Sequence, residues 1–446
     1  MSANRKQSRW ISTALVVALS IASPALGAEQ SVAEEAPPRT PVDPKGWQVH
    51  WHNGTRIERS DGQFKLKFGG RTMLDFAQIW GDSSLRQTVG NGDFGSGVEF
   101  RRARLFAQGT FYNRLIFKIQ YEFANAGDDG VHFKDLYLGL MDLGPVGTLR
   151  IGHMKEDFSL EEMTSSKYGV FMERSLSAAF NPGRNTGLSA YNTFLEGRLR
   201  YALGGFHATD SGGFGWKDSD GTTYHVTARL TGLPVWEDDG KKLVHLGFSY
   251  SHQFTGSGGT GLHYGKRPES HLAGHYVDTP IPDPSGGTTD IAVDGVDLVT
   301  VEFAAVYDSL SLQAEWQAAL LERPGLESSL LWGVYGQAAY FLTGEHRNYT
   351  QKYGNFGRTK LLSTFDPGVG DWGAFELAAR ISYLDLNDAG IRGGRLLDVT
   401  AGVNWYLWPN LRLMANYVHS ELWDRGTAVP GSGAGDLFEM RLQFDF

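Results

Sequence analysis

Apolar and polar residues alternate one for one along most of this chain, and that two-residue period constrains its fold more than any other feature. The last segment is the clearest: Phe438, Met440, Leu442, Phe444 and Phe446 share one side, while Glu439, Arg441, Gln443 and Asp445 share the other. Successive side chains of a strand point to opposite faces, so the pattern predicts a strand with one oily and one wet side. The segment from Phe64 repeats it, with Phe64, Leu66, Phe68, Leu74 and Phe76 opposing Lys65, Lys67, Arg71 and Asp75. About sixteen such segments occur, near 64–80, 98–111, 115–124, 133–142, 148–154, 185–192, 196–209, 222–232, 243–254, 296–308, 310–321, 329–343, 372–385, 395–407, 411–422 and 435–446.

A soluble β-sandwich would need polar outer faces, and here strand after strand offers an apolar one that water would not tolerate. In lipid every backbone hydrogen bond must be made within the protein, so the sheet has to close. An even strand number brings both termini to one side. The expected fold class is all-β: a transmembrane antiparallel β-barrel of about 16 strands, with inward-folded loops. A terminal strand ending in Phe also resembles the assembly signal of bacterial outer-membrane barrels.

The connections support this reading. Tight turns such as Tyr112-Asn113, Asp308-Ser309 and Trp408-Pro409-Asn410 alternate with longer loops, as in barrels with short turns on one side only. The longest insertions are 155–184, 255–295 and 344–371, and the third falls on the short-turn side, where it is placed to enter the barrel. Ahead of the barrel, Arg5, Lys6 and Arg9 precede a short apolar run and small residues at Ala25 and Gly27, the pattern of a secretory signal cleaved near Gly27/Ala28. The expected organisation is a signal peptide at 1–27, a periplasmic extension with a small hairpin around Asn53-Gly54 at 28–60, and an outer-membrane barrel at 61–446.

Charge and composition exclude other classes. Cleavage would take three positive and no negative charges from a chain of net charge −9, leaving −12, which would repel nucleic acid. With no cysteine there is neither a disulfide framework nor a thiolate metal site. No Gly-x-Ser-x-Gly elbow occurs, Gly256, Gly258 and Gly261 lack a surrounding βαβ pattern, and His50/His52 and His271/His275 lack a third ligand at a telling spacing. Neither a catalytic residue, a metal site nor a cofactor is expected.

Parity assigns the wet side to the lumen. Thirteen cations fall there (Lys65, Lys67, Arg71, Arg102, Arg104, Lys118, Arg150, Arg198, Arg200, Arg229, Arg380, Arg412, Arg441) against nine anions (Asp75, Glu122, Asp135, Glu196, Glu302, Glu315, Glu376, Glu439, Asp445). An acidic chain with a mildly basic wall predicts a pore that favours small anions. The alternative is a wall of cross-strand ion pairs without selectivity, a general porin for neutral or mixed small solutes.

Several stretches together resemble the phosphate-selective porin O and P family, from about residue 60 to Phe446. They are Phe68-Gly69-Gly70-Arg71, Phe100-Arg101-Arg102-Ala103-Arg104, Phe158-Ser159-Leu160-Glu161-Glu162, Thr164-Ser165-Ser166-Lys167 and Met172-Glu173-Arg174-Ser175. Leu342-Thr343-Gly344-Glu345, Trp372-Gly373-Ala374-Phe375-Glu376-Leu377 and Gly402-Val403-Asn404-Trp405-Tyr406 follow in order. The resemblance implies a sixteen-stranded homotrimer in outer-membrane lipid whose basic residues escort phosphate-like anions. It implies that 155–184 is the constriction loop and 255–295 a second infolded loop. Carried over residue by residue, it marks Arg71, Arg101 and Arg102 as wall arginines and Lys167 and Arg174 as constriction cations, although Arg101 has the wrong parity for the lumen. Arg104, Lys118, Lys266 and Arg267 complete the expected ladder. The chain departs from the family at Glu162 and Ile116, where phosphate-specific relatives carry lysines, so Glu162→Lys is expected to raise anion selectivity.

Overall fold

The computed structural model describes residues 46–90, 94–124, 131–210, 212–213, 215, 222–255, 260–279, 281–282, 288–426 and 431–446. The signal peptide and most of the 28–60 extension fall outside them. A hairpin of β1 (Trp47–Trp51) and β2 (Thr55–Arg59) leads into sixteen barrel strands. These are β3 (Phe64–Gly81), β4 (Gly95–Phe111), β5 (Leu115–Glu122), β6 (His132–Leu140), β7 (Thr148–Lys155), β8 (Arg184–Phe194), β9 (Leu199–His207) and β10 (Thr222–Glu237). The second half comprises β11 (Lys242–Thr255), β12 (Gly295–Tyr307), β13 (Leu310–Glu322), β14 (Ser329–Phe341), β15 (Ala374–Asp388), β16 (Ile391–Trp408), β17 (Leu411–Arg425) and β18 (Gly431–Asp445). Each strand pairs antiparallel with its neighbours, and β18 pairs with β3 from Gly435↔Gly81 to Asp445↔Arg71, which closes the barrel.

The pleat sorts side chains as the alternation requires. On the closing strand Phe438, Met440, Leu442 and Phe444 are exposed on the lipid side, whereas Glu439, Arg441, Gln443 and Asp445 are buried inside. Turns confine the expected lumenal set in one place. Leu195, Glu196 and Gly197 all take positive φ in the tight connection between β8 and β9, so Glu196 and Arg198 sit exposed in a turn and not on the lumenal wall.

Two bulges shift parity elsewhere. The β3–β4 register slips between Met73 and Leu74, so that Arg102 faces Met73 and Phe100 faces Leu74 while Arg101 is left over. The bulge turns Arg101 inward despite its parity. The β5–β6 register slips between Gln120 and Tyr121 and leaves out Lys134 in the same way.

Closure explains Phe68-Gly69-Gly70-Arg71. The terminal residue bonds back through Gly70 N–H to Phe446 O (2.8 Å) and Phe446 N–H to Gly70 O (3.1 Å). A Cβ on Gly69 would run into the Phe446 carbonyl, and one on Gly70 would lie 2.6 Å from Arg104 O and 2.7 Å from the Phe446 ring. Gly69→Val is therefore expected to obstruct closure, read as loss of the heat-modifiable folded band on refolding, with Gly205→Ala, which meets nothing within 4 Å on an ordinary strand backbone, as the control.

Three insertions fill much of the interior. Segment 156–183 crosses from β7 to the far wall, where the Leu160 and Glu161 amides donate to Glu315 (2.9 and 2.8 Å) and the Leu176 amide donates to Ser382 (2.8 Å). Segment 256–294 is tied to β15 and β16 by Glu269, which accepts from Arg380 (Nε, 2.9 Å) and Thr400 (2.7 Å). The insertion between β14 and β15 enters from the short-turn side: the Asn355 amide donates to Met163 O (2.7 Å) and Arg229 donates to Gly354 O (2.9 Å). Where the first two insertions meet the wall, inward side chains turn apolar, with Phe158, Phe180, Tyr276, Val296, Leu298, Leu384 and Leu422 in one buried cluster. Removing that apolar surface from water helps hold the infolded segments in place.

Candidate functional site

Among the described residues the insertions leave two cavities open, the larger along β3–β8 and the smaller between β4 and the first two insertions. The one on the short-turn side measures about 500 Å³ and the one on the long-loop side about 350 Å³, and Arg102 and Arg174 border both. The larger is lined by twelve basic side chains and two acidic ones, Glu58 and Asp135.

Most of the cations are paired with carboxylates, of which Glu122 and Asp157 line neither cavity. Arg104 donates to Glu122 (2.5 Å), Lys118 and Arg184 share Asp135, and Arg150 and Arg200 share Asp157 (2.9 and 2.5 Å). Arg101 grips Glu173 through two bonds (2.8 and 3.0 Å), with Arg441 on the same carboxylate at 2.9 Å and Arg102 at 3.6 Å. Burial would raise the Glu173 carboxyl, but Arg101, Arg102 and Arg441 outweigh it and hold the group well below its ordinary range. Glu162 bridges Lys155 and Arg174, each at 2.9 Å. Burial again opposes ionisation, yet Arg174 and Lys155 bring this carboxyl down to about 2. Lys167 lies 3.2 Å from Asp445.

Arg71 differs from these. It is 7% exposed, lines the larger cavity, and makes no ion pair among the described residues. Its guanidinium is positioned by two hydroxyls of the infolded loop, Ser166 at 2.7 Å and Ser165 at 3.4 Å. Five donors meeting two neutral acceptors leave bonding capacity for an anion in the cavity. Lys266 and Arg267 stand apart on the long-loop side, bordering the smaller cavity together with Arg101, Arg102 and Arg174. Ile116 forms part of the larger cavity's wall beside Lys118.

Sequence reasoning missed Arg56, Lys155, Arg184 and Lys352, which also line the larger cavity. Arg56 belongs to the hairpin, Lys155 and Arg184 end their strands, and Lys352 arrives on the short-turn insertion. None lies at a position where strand parity assigns a face with confidence in the register.

Lys167 supplies a pH test. Burial pushes its ammonium down, Asp445 partly restores it, Arg71 and Arg358 depress it further, and it titrates at about 8. Because a lysine loses its charge as pH rises through its pKa, anion preference measured with chloride should weaken between pH 7 and pH 9. In Lys167→Arg this group's part of the change should vanish, since a guanidinium stays charged there.

The family model for phosphate-selective porin O and P matches residues 67–446. An uncharacterised protein of Caulobacter vibrioides is 30% identical over 402 residues, 87% of this chain and 74% of that one. Porin O of Pseudomonas aeruginosa is 26% identical over 426 residues, covering 88% and 91% of the two chains. Among solved structures, OmpT of Vibrio cholerae aligns over 86% of this chain and 98% of its own, with a TM-score of 0.53 and 12% identity. The anion-selective porin from Comamonas acidovorans covers 85% and 100%, with a TM-score of 0.51 and 13% identity. These two likenesses concern the fold. With the family model spanning the barrel from β3 to Phe446, the chain belongs to the phosphate-selective porin O and P family of outer-membrane porins.

Proposed function

We propose that this porin lets small anions such as phosphate or polyphosphate diffuse passively across a bacterial outer membrane. The observation that carries the reading is the charge of the larger cavity, twelve basic side chains against two acidic ones, in a chain whose overall charge is negative. The carboxylates of Glu122, Asp157 and Glu162 that balance several of these cations do not line that cavity, so a solute there meets the cations first. Arg71, Arg102, Arg104, Lys118, Lys167 and Arg174 act as successive weak sites, with Lys266 and Arg267 on the long-loop side. Conduction needs sites that attract an ion without retaining it. The 1–27 signal peptide, the periplasmic 28–60 extension, outer-membrane lipid around the barrel and a homotrimeric assembly belong to the same proposal.

A second reading, a weakly selective pore for neutral or mixed small solutes, is favoured by how many lumenal cations are ion-paired. Reversal potentials across a planar bilayer under a potassium chloride gradient separate the two. A potential of anion-selective sign, with phosphate inhibiting chloride current at low concentration, supports the first. A cation-selective or near-zero potential overturns it.

A further inference from the structure

Trp47-Gln48-Val49-His50-Trp51 alternates in the same way as the barrel strands, yet it forms β1 of the hairpin that precedes them. Directly opposed residues share a face, and the register is continuous: Val49↔Ile57↔Leu66 and Trp51↔Thr55↔Phe68. Trp47, Val49 and Trp51 therefore stand on the face that carries Phe68, a lipid-side residue of the barrel. They are 56%, 68% and 59% exposed. The opposite face follows His50↔Arg56↔Lys67 and Gln48↔Glu58↔Lys65, and Arg56, Glu58, Lys65 and Lys67 all line the larger cavity. The hairpin thus has one side in the pore mouth and an oily side facing away from it.

An aromatic chain joins that oily side to the barrel rim. The Trp47 ring lies 6.1 Å from Phe64, which lies 5.7 Å from Phe111 and 5.0 Å from Tyr112. The Arg59 guanidinium sits 4.3 Å over the Phe64 ring. Tryptophan and tyrosine favour the level of lipid headgroups, where an apolar ring and a polar edge are both satisfied, and arginine there reaches toward phosphates. Among the described residues β1 pairs with β2 alone, and its other edge limits the depth. Its unpaired backbone groups could not sit in hydrocarbon, but hydrated headgroups satisfy them.

We infer that the 47–59 hairpin is a membrane-anchored lip of the pore, with Trp47, Val49 and Trp51 seated among the lipid headgroups of the short-turn-side leaflet and Arg56 thereby held over the mouth. The inference rests on the barrel lying in a membrane and not on its anion selectivity.

The chain contains no cysteine, so single spin labels can be placed in the full-length protein reconstituted in phosphatidylethanolamine and phosphatidylglycerol vesicles. Labels at Val49→Cys and Trp51→Cys are expected to relax faster with oxygen, which concentrates in lipid, than with a water-soluble nickel chelate. A label at Gln48→Cys, next door on the opposite face, should show the reverse. If 49 and 51 are as open to nickel as 48, the lip is in water and the inference fails. If both are shielded from oxygen and nickel alike, protein covers them, whether a second copy or the preceding chain, and it fails as well. Two label sites on one face guard against damage from either substitution. Phe68→Cys serves as the barrel control: nickel access there would overturn the membrane placement itself, whereas oxygen access at 68 without it at 49 and 51 overturns the lip alone.

Discussion

Arg71→Gln is expected to raise the phosphate concentration needed to half-inhibit chloride current by about ten- to a hundredfold. A hydrogen bond to a charged group contributes roughly 1.5–3 kcal/mol, and each 1.4 kcal/mol is tenfold in affinity. Arg71 is the cation best placed to spend that interaction on a solute, because Ser165 and Ser166 orient it without neutralising it. The same feature predicts that the variant folds normally: removing Arg71 strands no buried carboxylate. Arg441 provides the contrast. It is 1% exposed and bonds Asp75 twice at 2.6 Å as well as Glu173 at 2.9 Å. Arg441→Gln orphans buried charge, a loss of about 3–5 kcal/mol in comparable pairs, and should lower the thermal unfolding temperature of the barrel. Unchanged phosphate inhibition in Arg71→Gln would remove this residue from the conduction path.

The strands were legible because lipid enforces their period: an outward polar residue or a missed alternation is costly, so the sequence keeps the pattern from Phe64 to Phe446. The lumen was less legible for three physical reasons. Bulges are local and shift parity without a sequence mark, which is how Arg101 and Lys134 come to differ from their alternation. Inward positions are polar only where they meet water, and the infolded segments bury Val296, Leu298 and Leu384 against their own apolar residues. Ion pairing joins residues far apart in the chain, as Glu173 does with Arg101 and Arg441, so a count of lumenal charges overstates the number that are free. Arg71 could be nominated from its parity and motif. That it lacks the carboxylate which Arg101, Arg102 and Arg441 share required the positions of Ser165, Ser166 and Glu173.

The pairing at Glu162 changes what its replacement should do. From the sequence, a lysine there reads as one more positive charge. In the structure Glu162 lies 2.9 Å from both Lys155 and Arg174, so Glu162→Lys would press a third cation between two others and push the loop off its seat. Glu162→Gln is the cleaner change: it keeps the shape, leaves an amide oxygen for one of the two donors, and turns a net charge of +1 in this trio into +2. One additional unit charge about 4 Å from a passing ion contributes on the order of 1 kcal/mol in bulk water and more beside a protein wall. The anion-to-cation permeability ratio should therefore rise at least about fivefold, by the same conversion. Wild-type protein should not reach this state by mild acidification. A carboxyl held at about 2 stays ionised from neutral pH to below pH 4, and its stabilising contact with Arg174 and Lys155, fully present above the ordinary value of 4.5, is lost only as pH falls toward 2. Reversal potentials of the two proteins measured at pH 7 and pH 4.5 should keep the same separation, and a wild-type shift toward Glu162→Gln within that window would show the carboxylate to be less firmly held than its two partners imply.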